Sequence, residues 1–475
     1  MRQRFIVPSL AIALLATLPP SVGTADPASV GSWSEPFELG VVGINATLLR
    51  SGEVLLFEIP HRRGSHARVW DPVTGHVRSV NVPFRHDLFC GANSVLPDGR
   101  VLVTGGTRYG ARALDGTNRT ATFSPLHRVW KSGPRMRFRR WYPSNIALPS
   151  GDVLVLSGWE RQDDPTVAAI ERYDASTREI RRLPHRFDRR LELYPRLFLL
   201  PDGRIFHAGP ERRSAILDPK LGWTASDAMT FGGRYDGSAV LLDGLERVLA
   251  FGGGDGPRPT ATAEIIDLGT SDPSWRPTGS LTHRRKHANG VLLPDGSVLA
   301  VGGGERGLYR DPQLVPELFD PVTETWTEMA IQTAPRMYHS TALLLPDGRV
   351  LSAGMDHGDL QTTGEIFSPP YLFRGPRPTI TDSPRSVGLD QTFIVQTPEA
   401  ADIGRVVMMR PGSATHGVNF DQRGVVLDFT SGTGGLTIAA PKNPRVAPPG
   451  WYMLFVLSSA GVPSIAEWVQ VAGSG

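Results

Sequence analysis

Five side chains in this sequence have the types and settings that metal or redox chemistry needs. Cys90 is the only cysteine among 475 residues and stands in His86-Asp87-Leu88-Phe89-Cys90-Gly91. Tyr142 stands in Arg140-Trp141-Tyr142-Pro143-Ser144, Tyr338 and His339 in Met337-Tyr338-His339-Ser340, and His416 in Ala414-Thr415-His416-Gly417-Val418-Asn419. Imidazole nitrogen and phenolate oxygen suit copper better than magnesium or calcium. Each residue also has an ordinary reading. A lone thiol is a small buried hydrophobe, a strand tyrosine packs with its hydroxyl satisfied, and a loop histidine bonds a carbonyl. Residue type and spacing leave both readings open.

A repeated phrase supplies the positioning. Apolar residues, a turn with glycine and an apolar strand recur around Gly52, Gly99, Gly151, Gly203, Gly244, Gly296 and Gly348, at intervals of 41 to 52 residues. Leu96-Pro97-Asp98-Gly99-Arg100-Val101 and Leu345-Pro346-Asp347-Gly348-Arg349-Val350 are typical copies. Asp-Gly provides the positive φ of a tight hairpin, and the flanks are expected to alternate toward a buried face. A second phrase, Trp70-Asp71-Pro72-Val73-Thr74-Gly75 with copies at Tyr173 and Phe319, reads as an outer-strand turn. Four strands in each of seven units predict an all-β fold, a seven-bladed kelch-type β-propeller over residues 26–375. A closed ring of seven units leaves no exposed sheet edge.

The joint Arg374-Gly375-Pro376-Arg377-Pro378 opens residues 376–475, where the spacing changes. Strand candidates at 392–396, 405–409, 425–429, 436–439, 451–457 and 467–471 predict an immunoglobulin-like β-sandwich. Cys90, Tyr142 and Tyr338-His339 each precede an inner-strand phrase, near the axis where blades converge. His416 comes from the second domain.

Composition narrows the function. The 52 glycines and 41 prolines are scattered as turn punctuation, a pattern of turn-rich β structure and not of disorder. The net charge is +3, and no dense Lys/Arg tract is interleaved with aromatics, so no nucleic-acid partner is expected. Residues 1–25 read as a signal peptide: Arg2 and Arg4, an apolar run from Phe5 to Leu18, then Gly23-Thr24-Ala25 as a cleavage site. The run is short for a membrane span. The expected product is secreted, or at least extracytoplasmic, with no stable membrane insertion after cleavage. An exported chain with one cysteine holds either a free thiol or a modified one. Nothing in the pattern specifies an oligomeric state.

From about residue 60 onward these segments resemble the galactose oxidase and glyoxal oxidase family of copper radical oxidases. His86-Asp87-Leu88-Phe89-Cys90 is similar to the segment that holds the family's cross-linked cysteine, and Arg140-Trp141-Tyr142-Pro143-Ser144 to the one with its partner tyrosine. Tyr338-His339-Ser340 resembles the axial tyrosine and first histidine, and Thr415-His416-Gly417-Val418-Asn419 with Asp421-Gln422-Arg423 the loop of the second histidine. Met453-Leu454-Phe455-Val456 and Ser459-Ala460-Gly461-Val462-Pro463-Ser464 match as well.

The resemblance implies a Cu(2+) cofactor and a thioether between Cys90 and Tyr142 that carries a tyrosyl radical. Sulfur donates electron density to the phenol, so Tyr142 loses one electron more easily while copper supplies the second equivalent. It implies equatorial ligation by Tyr142, His339 and His416, with Tyr338 as axial ligand and proton acceptor. A primary alcohol or a small aldehyde (as its hydrate) and O2 are then the reactants, with hydrogen peroxide as product; a copper-delivery partner is compatible with this chemistry. Trp159 is the implied stacking ring over Tyr142, and Arg190 and Tyr309 are the implied substrate contacts. The Tyr-Gln pair that galactose oxidase carries after its Phe-Gly-Gly is replaced by Gly254-Asp255-Gly256-Pro257-Arg258. Its N-terminal sugar-binding domain has no counterpart here, so small aldehydes or other primary alcohols are expected ahead of galactose.

Two other functions fit the same fold: a non-catalytic kelch-propeller binding module, and an exported copper-binding or delivery protein. The binding module predicts a Cys90 thiol that an alkylating reagent labels after denaturation. The radical oxidase predicts that copper-treated protein resists labelling.

Overall fold

The computed structural model describes residues 25–58, 65–82, 86–108, 115–306, 309–356 and 360–473. All but Ala25 of the expected signal peptide lies outside them. Among the described residues no helix is long and apolar enough to cross a membrane. Among the described residues helix is confined to Pro27–Val30 and three short 3-10 turns.

Each repeated phrase folds as the innermost hairpin of a blade, as Ala92–Val95 paired with Val101–Thr104 illustrates. The turn glycines have φ between 81° and 92°, a region open to glycine without steric cost. Seven antiparallel sheets result. The first contains Asn45–Leu48, Val54–Phe57, Ala67–Trp70 and Val77–Ser79. The seventh takes three strands from residues 340–368 and a fourth, Ser32–Trp33, from the other end of the chain. Tail-to-head pairing of this kind closes the ring.

The inner hairpins do not alternate. Ala92–Val95, Val101–Thr104, Ser144–Ala147 and Val153–Leu156 are buried at every position. A blade is covered by a neighbour on both faces, so its inner strands behave like those of a two-sided core. Alternation is left to outer strands such as Glu317–Asp320.

The C-terminal strands form a five-stranded sheet and a three-stranded sheet. Val406, Met408, Leu454 and Val456 of the first pack with Phe393, Val395, Leu436 and Ile438 of the second. The strand spacing had not indicated Ser413–Thr415 and Val418–Asn419. They leave the sandwich and extend the first blade, Asn45 pairing with Thr415, which carries His416 into the propeller axis.

Four blades share a buried clamp. Arg140–Glu171 (2.9 Å), Arg234–Glu264 (2.7 Å), Arg285–Glu317 and Arg336–Glu365 (3.4 Å) are ion pairs with side chains no more than 1% exposed. The guanidinium groups also donate to carbonyls such as Ser157 and Ala169, and each glutamate accepts a loop N–H, as Glu171 does from Arg137 (2.6 Å). Desolvation is offset only while both partners stay. Arg140→Leu should therefore destabilise the protein by about 3–5 kcal/mol, read as a lower midpoint in urea unfolding.

Candidate metal centre

The clamps aim the chemistry. Cys90, Tyr142, Tyr194, His287 and His339 each stand nine residues before the turn glycine of their blade, and Asp236 stands eight before. All six are in the left-handed region, with φ of 61°, 59°, 47°, 59°, 63° and 59° in that order. For residues with a Cβ this costs about 1–3 kcal/mol each and persists only where the surroundings impose it. The clamp arginines lie two residues upstream of Tyr142, Asp236 and His287, and three upstream of His339. Backbone bonds tie successive blades at this level: Tyr142 N–H to Cys90 O (3.1 Å), Tyr194 N–H to Tyr142 O (3.0 Å) and His287 N–H to Asp236 O (2.6 Å). The kink turns each side chain to the axis, and the bonds set Cys90 beside Tyr142.

Five donor atoms converge there. Cys90 Sγ lies 3.8 Å from His416 Nε2, and ligand atoms of Cys90, His339 and His416 all fall within 4.8 Å of one another. Tyr142 Oη is hydrogen-bonded to Tyr338 Oη and lies 3.4 Å from His339 Nε2. Both imidazoles are oriented from behind. Thr415 donates its single hydroxyl proton to Ile44 O (2.8 Å), so its 2.6 Å contact with His416 Nδ1 requires that nitrogen to donate. That leaves the Nε2 lone pair facing inward. Asp356 Oδ2 lies 2.6 Å from His339 Nδ1 and fixes the same tautomer. A carboxylate behind a ligating histidine is the usual way to orient it and raise its basicity. Burial alone would raise the Asp356 pKa, but His339 and Tyr309 hold it below the ordinary carboxylate value.

Electrostatics favours a cation. Burial, then the neighbouring thiol and phenols, pushes the Tyr142 hydroxyl well above its ordinary pKa, and burial does the same to Tyr338 and Cys90. Burial, then the neighbouring imidazoles, drives His416 well below 6.5. Two inward-facing imidazole lone pairs, two phenol oxygens and a thiol form a donor set that suits copper better than a hard cation.

The rings form a stack. Trp141 lies on Tyr142 at 3.6 Å and 11°, and Tyr194 covers Tyr142 at 4.3 Å. Trp159, expected over Tyr142, stacks instead on Trp141 at 5.2 Å. The backbones of Trp141 and Trp159 form a β-bridge, which sets their side chains in register and puts Trp159 one layer out. Arg190 is exposed; with Leu191 buried beside it, the extended chain directs the arginine to solvent. Tyr309 donates to Asp356 Oδ1 (3.0 Å) and sits edge-on to Tyr338 at 5.5 Å. It braces the carboxylate behind His339 and is not among the residues that line the axial cavity.

That cavity, about 400 Å³, opens on Tyr142, Tyr338 and His416 and is lined further by Trp159, Glu192 and Arg196. A groove of about 650 Å³ beside Arg50, Trp451 and Trp468 holds none of the five donors. Tyr194, His287, Glu192, Arg196, Thr415 and Asp356 escaped the sequence reading. The nine-residue offset that links Cys90, Tyr142 and His339 would have found Tyr194 and His287.

Known proteins share this arrangement of chain. Residues 377–471 match the galactose oxidase-like early set domain, and residues 61–226 with 258–368 match the glyoxal oxidase N-terminus. Galactose oxidase of Gibberella zeae is 31% identical over 521 residues, 98% of this chain and 74% of that protein. Aldehyde oxidase GLOX1 of Arabidopsis thaliana is 28% identical over 470 residues, covering 86% and 75%. A solved fungal alcohol oxidase of the AA5 family, in complex with copper, superposes with a TM-score of 0.83 at 27% identity, covering 94% of this chain and 100% of that one.

Two outcomes follow from the buried histidines. Thr415→Val removes the acceptor that fixes the His416 tautomer and should weaken copper binding about 10–100-fold in a chelator competition. His287, held at about 4 by burial, takes up a proton when the protein unfolds between pH 4 and 6.5, so it lowers stability as the pH falls through that window. In metal-free protein His287→Asn should flatten the dependence of unfolding free energy on pH there by about 1.4 kcal/mol per pH unit.

Proposed function

Because the chain belongs to the galactose oxidase and glyoxal oxidase family of copper radical oxidases, we propose that it oxidises a primary alcohol, or a small aldehyde as its hydrate, with O2. The products are the aldehyde or acid and hydrogen peroxide. The observation that carries this reading is the convergence of two tautomer-fixed imidazoles, two phenols and Cys90 at the end of one cavity.

Tyr142, Tyr338, His339 and His416 are the residues that would hold copper. When bound, copper supplies a one-electron acceptor next to a ring that can itself give up an electron. The remaining work falls to the chain. Cys90, the neighbour of Tyr142 across the blade boundary, would join its ring through a thioether, giving up the thiol hydrogen and one ring hydrogen to O2 when copper is bound, and lower the cost of removing an electron. Trp141 and Tyr194, stacked on opposite sides of Tyr142, keep water from the ring. Tyr338 Oη takes the proton of the substrate hydroxyl, and the oxidised Tyr142 takes a hydrogen atom from the adjacent carbon. Two electrons and two protons leave the substrate together, which matches the reduction of one O2 to one peroxide. The export signal read in residues 1–25 supports a site of action outside the cytoplasm.

Two measurements test the reading. Copper-treated protein should be lighter than the metal-free form by the mass of two hydrogens, and Cys90→Ser should abolish the difference. A peroxide-coupled screen should find turnover that Tyr338→Phe lowers by about 10²–10⁴-fold in kcat. An unchanged mass together with an alkylatable Cys90 would exclude the radical oxidase and leave the copper-binding and scaffold functions.

A further inference from the structure

In five blades the third strand sets an aromatic ring opposite the strand that follows the inner turn. Val54 pairs with Trp70, Val101 with Phe123, Val153 with Tyr173, Val298 with Phe319 and Val350 with Phe367. All five rings are buried. The fourth blade has Leu217 at this position, opposite Ile205, and the fifth has Ile266, opposite Val248. The fifth makes good the missing ring, because Phe206 of the neighbouring blade packs in one cluster with Ile266 and Trp275. The counterpart of Phe206 beside Leu217 is Leu154, three residues after its own turn glycine as Phe206 is. Aliphatic side chains therefore stand on both sides of the seam between the third and fourth blades.

A cavity of about 490 Å³ opens there. Leu154, Phe187, Ile205 and Leu217 are its buried lining, and Leu148 and Leu183, half-buried, stand nearer the mouth. It contains none of the copper-site donors. A concave apolar hollow with a few polar groups at its edge is the usual form of a small-molecule site.

The rim is charged, and the charge left unpaired is positive. Asp202 is held by Arg204 (2.5 Å), and Arg172 by Asp152 (2.7 Å). Lys220 and Arg445, also at the rim, are exposed and have no ion-pair partner among the described residues. Arg445 lies so close over the turn at Gly203 that a Cβ there would come within 3.2 Å of its Cδ.

We propose that this seam binds a small aromatic carboxylate, its ring in the hollow and its charge between Lys220 and Arg445. The repeat sets the shape of the apolar part, since the hollow lies where other blades place a ring. The unpaired cations set the sign, because a carboxylate meets them with charge-assisted hydrogen bonds. A neutral arene leaves both cations without a partner, and an ammonium is repelled by them. None of this depends on the copper chemistry.

The test titrates copper-loaded protein by calorimetry with cinnamate, with cinnamamide as its neutral isostere, and with propanoate as an anion without a ring. Cinnamate should bind saturably and raise the thermal unfolding midpoint. At low salt it should bind at least about threefold more tightly than cinnamamide, a gap that narrows in high salt. Propanoate should give no heat of binding. Leu217→Phe, which gives the fourth blade the ring that five others carry, should abolish cinnamate binding. Lys220→Glu combined with Arg445→Glu, both on the surface and outside the core, should weaken cinnamate by at least about tenfold and leave cinnamamide unchanged. Absence of saturable cinnamate binding, equal affinity for cinnamamide, or binding unchanged in either variant would overturn the proposal. Cinnamate binding that is lost in His416→Ala but kept in Leu217→Phe would put the anion at the copper site and overturn it too.

Discussion

Most of the side chains that meet at the axis of this propeller start from points where the backbone turns left-handed, and that turn has to be imposed. Six non-glycine residues, one in each of six blades, hold φ between 47° and 63° at the entry to the innermost strand. None of them would choose it in isolation. The buried Arg–Glu clamps and the backbone bonds between neighbouring blades supply the constraint. The strain is the reason Cys90, Tyr142, His339 and His287 face one point and do not pack sideways into a blade.

The same geometry decides protonation. At the axis the donors are shielded from water, so phenols and thiol stay protonated and His416 stays neutral. Desolvation thereby prepares the site for a cation that draws the protons off, and for little else. Thr415 and Asp356 complete the preparation by making each imidazole present Nε2. Thr415 is itself fixed by Ile44 of the first blade, so the second domain is held in place by the bond that also sets the His416 tautomer.

Repetition makes departures from the repeat informative. A blade can lose its clamp cheaply by becoming apolar at both positions, as the Leu88 and Ala121 blade does. The fourth blade instead retains Glu192 against Ala215 and binds it to His207 Nε2 and the Glu211 N–H.

Much of the fold was legible because a propeller repeats its own grammar. A turn glycine, preceded by aspartate in five of the seven copies, occurs once per blade and forces a hairpin through its φ, so strand number and blade number follow from local chemistry. The position of Cys90, Tyr142 and His339 relative to those turns was also local. What the sequence by itself could not determine was anything that depends on ring closure or on two domains meeting. Ser32–Trp33 completes the seventh blade from the far end of the chain, Ser413–Thr415 adds to the first, and Trp141 takes the place expected for Trp159. These are contacts between segments tens to hundreds of residues apart, chosen by packing and hydrogen-bond satisfaction in the closed ring, and no local propensity encodes them.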